Sequence, residues 1–141
     1  SMGRKIKGEE QVPDLTHLPF MPWKDWMFKL AEFKYGIHLM QTYAAGSFMM
    51  NCGYLGIPCI GYNHTDTQRN IFPDLSVDQD DLEKARFLAK QLVTDKDFYK
   101  ECSEKAKINF YQHSSENAFN NWKDNFFSNI DKFIGGWNET N

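Results

Sequence analysis

The residues best suited to chemistry lie around a turn rich in small side chains, between an apolar strand and a short helix. Residues 37–61 read in order as a strand, this turn, a helix, a Gly-x-Pro break and a second strand. A helix that begins at the carboxyl end of a parallel strand presents backbone N–H groups and the positive end of its dipole. With the hydroxyls of Thr42 and Ser47 and the N–H group of Gly46 beside it, the pattern predicts a phosphate-binding turn. The alternative is that the small residues only allow the strand and helix to pack closely.

A second group of polar side chains follows the next strand. His64 and Asp66 come directly after strand 59–62, at the carboxyl end where α/β sheets bind ligands. They are candidates for ligand contact, and a solvated loop is the alternative. Two possible ligands do not make a metal site, and the three cysteines show neither CxxC nor zinc spacing. Since no Ser-His-Asp or Cys-His arrangement can be argued either, the sequence indicates no catalytic residue, no metal and no cofactor.

Composition excludes several classes of protein. The 141 residues are enough for one domain, and the 16% aromatic content, with 12 Phe, supplies an adequate core. The net charge of −3, without a clear Lys/Arg cluster in the body of the chain, disfavours nucleic-acid binding. No run of about 18 apolar residues and no signal-peptide pattern is present, so we expect no membrane span and a cytoplasmic location.

The first half of the chain alternates strands and helices. Residues 1–14 read as a tail, with Ser1-Met2 as a tag remnant, and His38 is assigned to the interior or surface of the sheet. The spacing of apolar residues predicts the following elements: a strand over 15–21, a helix over 23–33, a strand over 37–40, a helix over 46–55, a strand over 59–62, a polar loop over 63–70 and a short edge strand over 75–77.

The second half reads as helices. We expect one from an Asp78 cap to about Val93, one capped by Thr94 that runs to about Tyr111, and a last one from Ser114 or Ser115 to about Phe133. The pattern predicts an α/β fold, three-layered and Rossmann-like, with a small parallel sheet of three to four strands and extra C-terminal helices. We assign 15–134 to one partial domain and 135–141 to a tail. Exposed aromatic side chains of the last helix would favour a homo-oligomer.

The residues that lead into the second strand of this unit resemble a segment of a known family. Residues 56–60, Gly-Ile-Pro-Cys-Ile, resemble the G-[VI]-P-V-[IV] segment in the C-terminal, nucleotide-sugar-binding domain of retaining GT-B glycosyltransferases. Gly46 matches the second glycine of that family's E-G-F-G turn. Residues 18–26 are similar to the strand and helix that precede the turn, and 80–96 with the final aromatic helix are similar to the family's C-terminal helices. The resemblance covers roughly residues 15–133.

The resemblance implies a function and a set of contacts. It implies that the chain binds a nucleotide-diphosphate-sugar donor and is a fragment of a glycosyltransferase, inactive alone without an N-terminal acceptor domain. Two glutamates of the family are replaced here by Tyr43 and Asn51, of which Asn51 offers both a donor and an acceptor to a ribose hydroxyl. The donor-binding residues implied together are Thr42, Tyr43, Ala45, Gly46, Ser47, Asn51, His64 and Asp66.

Two other functions remain open from the sequence. One is a sugar-nucleotide epimerase-like domain, although the acidic and histidine residues typical of that family are not recognisable. The other is a non-catalytic α/β interaction module that uses its aromatic C-terminal helices to bind a partner. The module predicts a complete sheet of about five strands, whereas three strands with an open edge would favour a truncated transferase domain.

Overall fold

A computed structural model describes residues 14–41, 46–114, 119, 120, 122–126 and 129. The chain divides into two compact units, Ser1–Glu32 and Phe33–Asn141. In the first unit, helix α1 spans Trp23–Leu30, and Leu30 is its buried residue. The strand predicted over 15–21 is wrong, since only Leu18 forms an isolated bridge. The two prolines that follow Leu18, which lack the N–H group a strand ladder needs, explain the difference.

Helix α1 is shorter than the apolar spacing predicts. It ends at Leu30 rather than at Phe33. Just after Leu30 the backbone forms a 3-10-type hydrogen bond, in which Glu32 N donates to Lys29 O at 3.2 Å, three residues back instead of four. Phe33 belongs to the second unit and is not helical. Apolar spacing therefore located this helix correctly and misjudged its end by one turn.

The second unit is built on a small parallel sheet. Its strands are β1 (Gly36–His38), β2 (Cys59–Tyr62) and β3 (Ser76–Val77), in the order β1-β2-β3. Ile37 pairs with Ile60, and Tyr62 pairs with Val77. All four residues of β2 are buried, as expected for the central strand of a parallel sheet. The α/β class and the small parallel sheet are thereby confirmed, with three strands in the described part, and the arrangement is consistent with a Rossmann-like fold.

Five helical segments accompany the sheet in the fully described part of the second unit. They are α2 (Ser47–Leu55), α3 (Asp66–Ile71), a 3-10 turn (Pro73–Leu75), α4 (Leu82–Thr94) and α5 (Lys96–Ser114). Residues 119, 120, 122–126 and 129 are also helical, within the last helix that the sequence predicts, and the rest of that helix lies outside the described residues.

Helix α3 replaces the loop predicted over 63–70, and that prediction is wrong. The helix is only six residues long and carries five polar side chains, so it shows no amphipathic period. Two inward-facing residues, Gln68 and Ile71, hold it against the sheet. A buried glutamine is read as a surface residue when only the sequence is considered, which explains the error.

The starts of α4 and α5 also differ from the predicted caps. Helix α4 begins after Asp81, whose carboxylate accepts a bond from Lys84 N at 3.0 Å, so the cap is Asp81 and not Asp78. At α5 the Asp95 carboxylate accepts bonds from the backbone N–H groups of the second and third helical residues at 3.0 and 2.9 Å. Thr94, the predicted cap, instead donates to Lys90 O as the last residue of α4. At both helix starts the cap is the aspartate immediately before the first helical residue, and the predicted cap lies three residues earlier at α4 and one residue earlier at α5.

The core lies between the sheet and its helices. Buried apolar side chains come from α2, β2, α3, α4 and α5. All three cysteines are buried free thiols. A hydrogen bond with Cys52, followed by burial, raises the pKa of Cys59 well above its usual range. Burial raises the pKa of Cys102 to about 11. Cys59 and Cys102 are therefore protonated core groups at neutral pH.

Candidate functional site

The candidate site lies where β1 and β2 end. Both strands run in the same direction, so His38 at the end of β1 and Tyr62 at the end of β2 lie at one edge of the sheet. Helix α2 begins at the same edge, because it connects these two strands. The carboxyl ends of parallel strands and the N-terminus of the connecting helix are thus brought together, as the sequence predicts.

Gly46 shapes the start of α2. It is the N-cap, in the left-handed conformation with φ 75° and ψ 35°, which favours glycine. A Cβ at this position would lie 2.7 Å from Met49 Cε and 2.9 Å from Thr67 Cβ. Glycine is therefore required both by the backbone conformation and by the approach of α3 to the start of α2.

The N-terminus of α2 is electrostatically open to an anion. Its first turn holds no acidic residue, and the glycine N-cap has no side chain to accept a bond from the helix. The first N–H groups of an α-helix have no acceptor within the helix, and they carry the positive end of its dipole. Ser47 is exposed in this turn, and Asn51 lies half-buried one turn further along the same face. Three further predicted contacts, Thr42, Tyr43 and Ala45, lie outside the described residues.

The loop between β2 and α3 carries the remaining predicted contacts. His64 is half-buried beside Tyr62, with ring centroids 5.9 Å apart. Asp66 is exposed at the start of α3, and its carboxylate pairs with Arg69. Arg69 also donates to Asn63 O at 2.5 Å, which joins the helix to the loop. Because the charge of Asp66 is balanced by Arg69, this carboxylate does not make the site strongly negative.

His38 belongs to this site, although sequence analysis assigned it only to the sheet. Its ring stacks on that of Phe48, the second residue of α2, at 5.9 Å and 24°. Burial lowers the pKa of His38, a bond with its own backbone opposes that shift, and the charge of His64 lowers the pKa further. The two imidazoles are thus close enough for their charges to interact. The signal available in the sequence was the position of His38 at the carboxyl end of a strand.

The loop between β3 and α4 supplies acidic side chains at the same end of the sheet. Asp80, at φ 66°, accepts a bond from Gln41 Nε2 at 3.2 Å, and Asp78 accepts one from the side chain of Asn63. These bonds join the loop between β3 and α4 to residues that follow β1 and β2. In the described ranges there is no group of three or more His, Cys, Asp or Glu able to hold a metal ion. An anion therefore fits the α2 side of this edge better than the side of Asp78 and Asp80.

A separate apolar cleft lies between the sheet and α4. Its volume is about 190 Å³. It is lined by Ile37, Leu39, Ile60, Leu82, Ala85, Arg86 and Ala89. None of the five predicted donor-binding residues that the structure describes lines it. Its walls are mainly apolar, and the guanidinium of Arg86, which also lines it, is paired with Glu83.

The comparisons with known proteins find no match. The chain matches no family model, no curated protein and no solved structure. Across the portion of the chain that the structure covers, the helices are too short or too polar to cross a membrane. The fold and the site define an α/β unit with a parallel sheet and a helix N-terminus bordered by two histidines.

Proposed function

We propose that the second unit binds a nucleotide-diphosphate sugar, as the donor-binding part of a GT-B glycosyltransferase. The observation that carries the proposal is Gly46, which starts α2 between two parallel strands at a positive φ and leaves its first turn without an acidic residue. The resemblance of residues 56–60 to the family's Gly-x-Pro segment supports the same function. Parallel strands on both sides of α2 are the arrangement that such a domain requires.

The proposed contacts follow the order of groups in the donor. The diphosphate lies at the first turn of α2, where backbone N–H groups and the Ser47 hydroxyl donate to phosphate oxygens. The Asn51 amide, one turn further on, takes a ribose hydroxyl. His64 and the pair of Asp66 with Arg69 border the ligand from the loop after β2. Thr42, Tyr43 and Ala45, which precede Gly46 in the sequence, remain predicted contacts.

The proposed chemistry is stabilisation of the leaving diphosphate. Positive backbone groups aimed at a developing negative charge lower the barrier of group transfer. The family's two carboxylates correspond to Tyr43 and Asn51, so this chain lacks the acidic groups that would contact the donor. Transfer is therefore proposed to require an acceptor-binding domain that these residues do not supply. A cytoplasmic location and self-association through aromatic residues remain predictions.

The sheet favours this proposal over an interaction module. A complete module would have about five strands, and the described residues contain three, with β1 and β3 at its edges. The acidic and histidine residues typical of an epimerase-like domain are not recognisable in the sequence. The donor-binding function thus remains the better supported of the three.

Two matched glycine variants test the proposal. Gly46→Ala and Gly56→Ala each place a Cβ at a positive φ, 75° and 69°, at opposite ends of α2. Calorimetric titration with UDP-glucose and GDP-mannose should show binding to the unmodified chain and to Gly56→Ala. Gly46→Ala should bind roughly tenfold more weakly or worse, a loss of about 1.4 kcal/mol. Equal weakening by both variants, or no binding by the unmodified chain at millimolar ligand, would contradict the proposal.

A further inference from the structure

The apolar cleft beside α4 is only partly covered. Ile37 and Ile60 are paired residues on neighbouring strands, and both line this cleft. Ile60 is 2% exposed, whereas Ile37 is 60% exposed, so α4 covers β2 and leaves the strip over β1 open in the described part of the chain. Full burial of an isoleucine side chain is worth about 1.5–3 kcal/mol. A further apolar group that covered Ile37 would therefore be stabilised here.

The cleft has the size and the lining to hold an aromatic ring. Its volume is about 190 Å³, and an apolar cavity of about 150 Å³ is large enough to bind benzene. On the side of α4 the small side chains of Ala85 and Ala89 leave this space. The guanidinium of Arg86 also lines it, and such a group is attracted to the face of an aromatic ring, most strongly to that of tryptophan.

The last helix presents the matching shape. Phe119, Trp122 and Phe126 are spaced three and four residues apart, so they share one side of the helix, which we call the aromatic face. Ring centroids lie 6.1 Å apart between the first two and 5.1 Å apart between the last two. Phe119 and Trp122 are each 59% exposed, and Phe126 is 44% exposed. The other described residues of this helix are polar and exposed, namely Asn120, Lys123, Asp124, Asn125 and Asn129.

We propose that two copies of the chain form a closed dimer in which the aromatic face of each copy docks in the apolar cleft of the other, with Trp122 seated beside Arg86. The inference goes beyond the proposed function and does not rest on it. It assigns a receptor surface to the self-association that the aromatic residues predict. An amphipathic helix that lays its apolar face into a groove is a common mode of recognition.

The area of the two surfaces favours a reciprocal contact. An aromatic side chain buries about 150–250 Å², so three half-exposed rings supply roughly 300 Å². One docked helix, counted together with the part of the cleft that it covers, buries roughly 600 Å², below the roughly 1,200 Å² at which stable interfaces begin. Two reciprocal contacts reach that size. They also close the assembly, because a one-way contact would leave a cleft and a helix free and continue as a filament.

Sedimentation velocity of the full chain between about 1 and about 200 µM measures the association. We expect a dimer with a dissociation constant on the order of micromolar and no larger species. Trp122→Ala removes the seated ring, and Ala89→Glu puts a carboxylate into the cleft, so each should weaken the dimer about tenfold or more. Phe87→Ala removes an exposed aromatic ring of α4 that does not line the cleft, and should leave the dimer unchanged. Circular dichroism verifies that each variant is folded.

A second measurement uses the unmodified chain alone. In a mixture of isotope-labelled and unlabelled copies, NMR should detect nuclear Overhauser contacts between copies that join the Trp122 ring to the methyl groups of Ile37 and Leu82. The inference is wrong if the chain stays monomeric at about 200 µM, or if these contacts are missing from a dimer. A folded Ala89→Glu variant that dimerises like the unmodified chain would also overturn it, since the aromatic faces would then pair with each other. None of these results bears on the binding of nucleotide sugars.

Discussion

The amide of Gln68 lies directly over Gly61, at the centre of the sheet. Gln68 is fully buried, and its Nε2 donates to Cys59 O at 2.9 Å and to Leu75 O at 3.4 Å. A Cβ on Gly61 would lie 2.6 Å from Gln68 Oε1. One side chain of α3 thereby connects β2 with the segment that leads into β3. Because the loop that carries His64 leads directly into α3, this contact also fixes one border of the candidate site.

Replacement of Gly61 by alanine should destabilise the second unit. The added methyl group would overlap the Gln68 amide, which is fully buried and held by hydrogen bonds to two backbone carbonyls. Overpacking of this kind costs about 1–3 kcal/mol. Urea denaturation followed by circular dichroism measures the loss. An unchanged denaturation midpoint would show that Gln68 does not pack against Gly61 as described.

Replacement of Gln68 by methionine should also destabilise the unit, through lost hydrogen bonds. Methionine fills a similar volume but leaves the carbonyls of Cys59 and Leu75 without their donor. Each unsatisfied buried acceptor costs about 1–3 kcal/mol. Gln112→Met, on the exposed face of α5, is the matched control and should stay near wild-type stability. Similar stability of the two variants would contradict this role of Gln68.

The low pKa of His38 predicts a stability that depends on pH. Since the folded-state pKa lies below the ordinary value of 6.5, the unfolded chain binds the proton more readily. The stability that neutral His38 contributes is fully present above pH 6.5. It is lost as the pH falls from there toward the lower folded-state pKa. His38→Gln should therefore reduce the decrease in unfolding free energy between about pH 8 and about pH 5.5, by less than about 1 kcal/mol because solvent screens a half-exposed ring. His113→Gln should leave that decrease as it is, and a steeper decrease in His38→Gln would contradict the sign.

The buried thiols should resist alkylation. Cys52 and Cys59 have no exposed surface, and the raised pKa values of Cys59 and Cys102 leave little thiolate at neutral pH. Iodoacetamide, followed by mass spectrometry, should label none of the three rapidly in the native protein and all three in denaturing guanidinium. Rapid labelling of Cys52 or Cys59 in the native state would show that α2 does not pack on β2 as described.

The cap of α5 gives a local test of the helix boundaries. Asp95→Ala removes the acceptor of two backbone N–H groups and should cost about 1 kcal/mol. Thr94→Ala removes only a bond to the carbonyl of Lys90 within α4 and should cost less. Thermal unfolding of the two variants compares them directly. A larger loss of stability in Thr94→Ala than in Asp95→Ala would indicate that Thr94 is the cap of α5, as the sequence predicts.

Sequence patterns correctly predicted those elements whose residues all lie in the same kind of environment. Strand β2 is buried on both faces, so its apolar run is unambiguous, and α2 is bounded by glycines on both sides. Helix α3 could not be predicted, because Gln68 is buried by tertiary contacts that a local pattern does not contain. The role of His38 was missed for a similar reason, since its neighbour Phe48 lies ten residues further along the chain. Gly46 and Ser47 were placed correctly at the start of α2, since cap residues act locally.

The central claim is that a nucleotide-diphosphate sugar binds at the N-terminus of α2. The most direct measurement is an NMR titration of the isotope-labelled chain with UDP-glucose and GDP-mannose, with backbone amides followed residue by residue. We expect saturable shifts at Gly46, Ser47 and Phe48, with smaller shifts at Asn51 and His64. Shifts concentrated at Ile37, Leu82 and Ala85 would place the ligand in the apolar cleft and contradict the claim. Unchanged spectra at millimolar concentrations of both nucleotide sugars would contradict it as well.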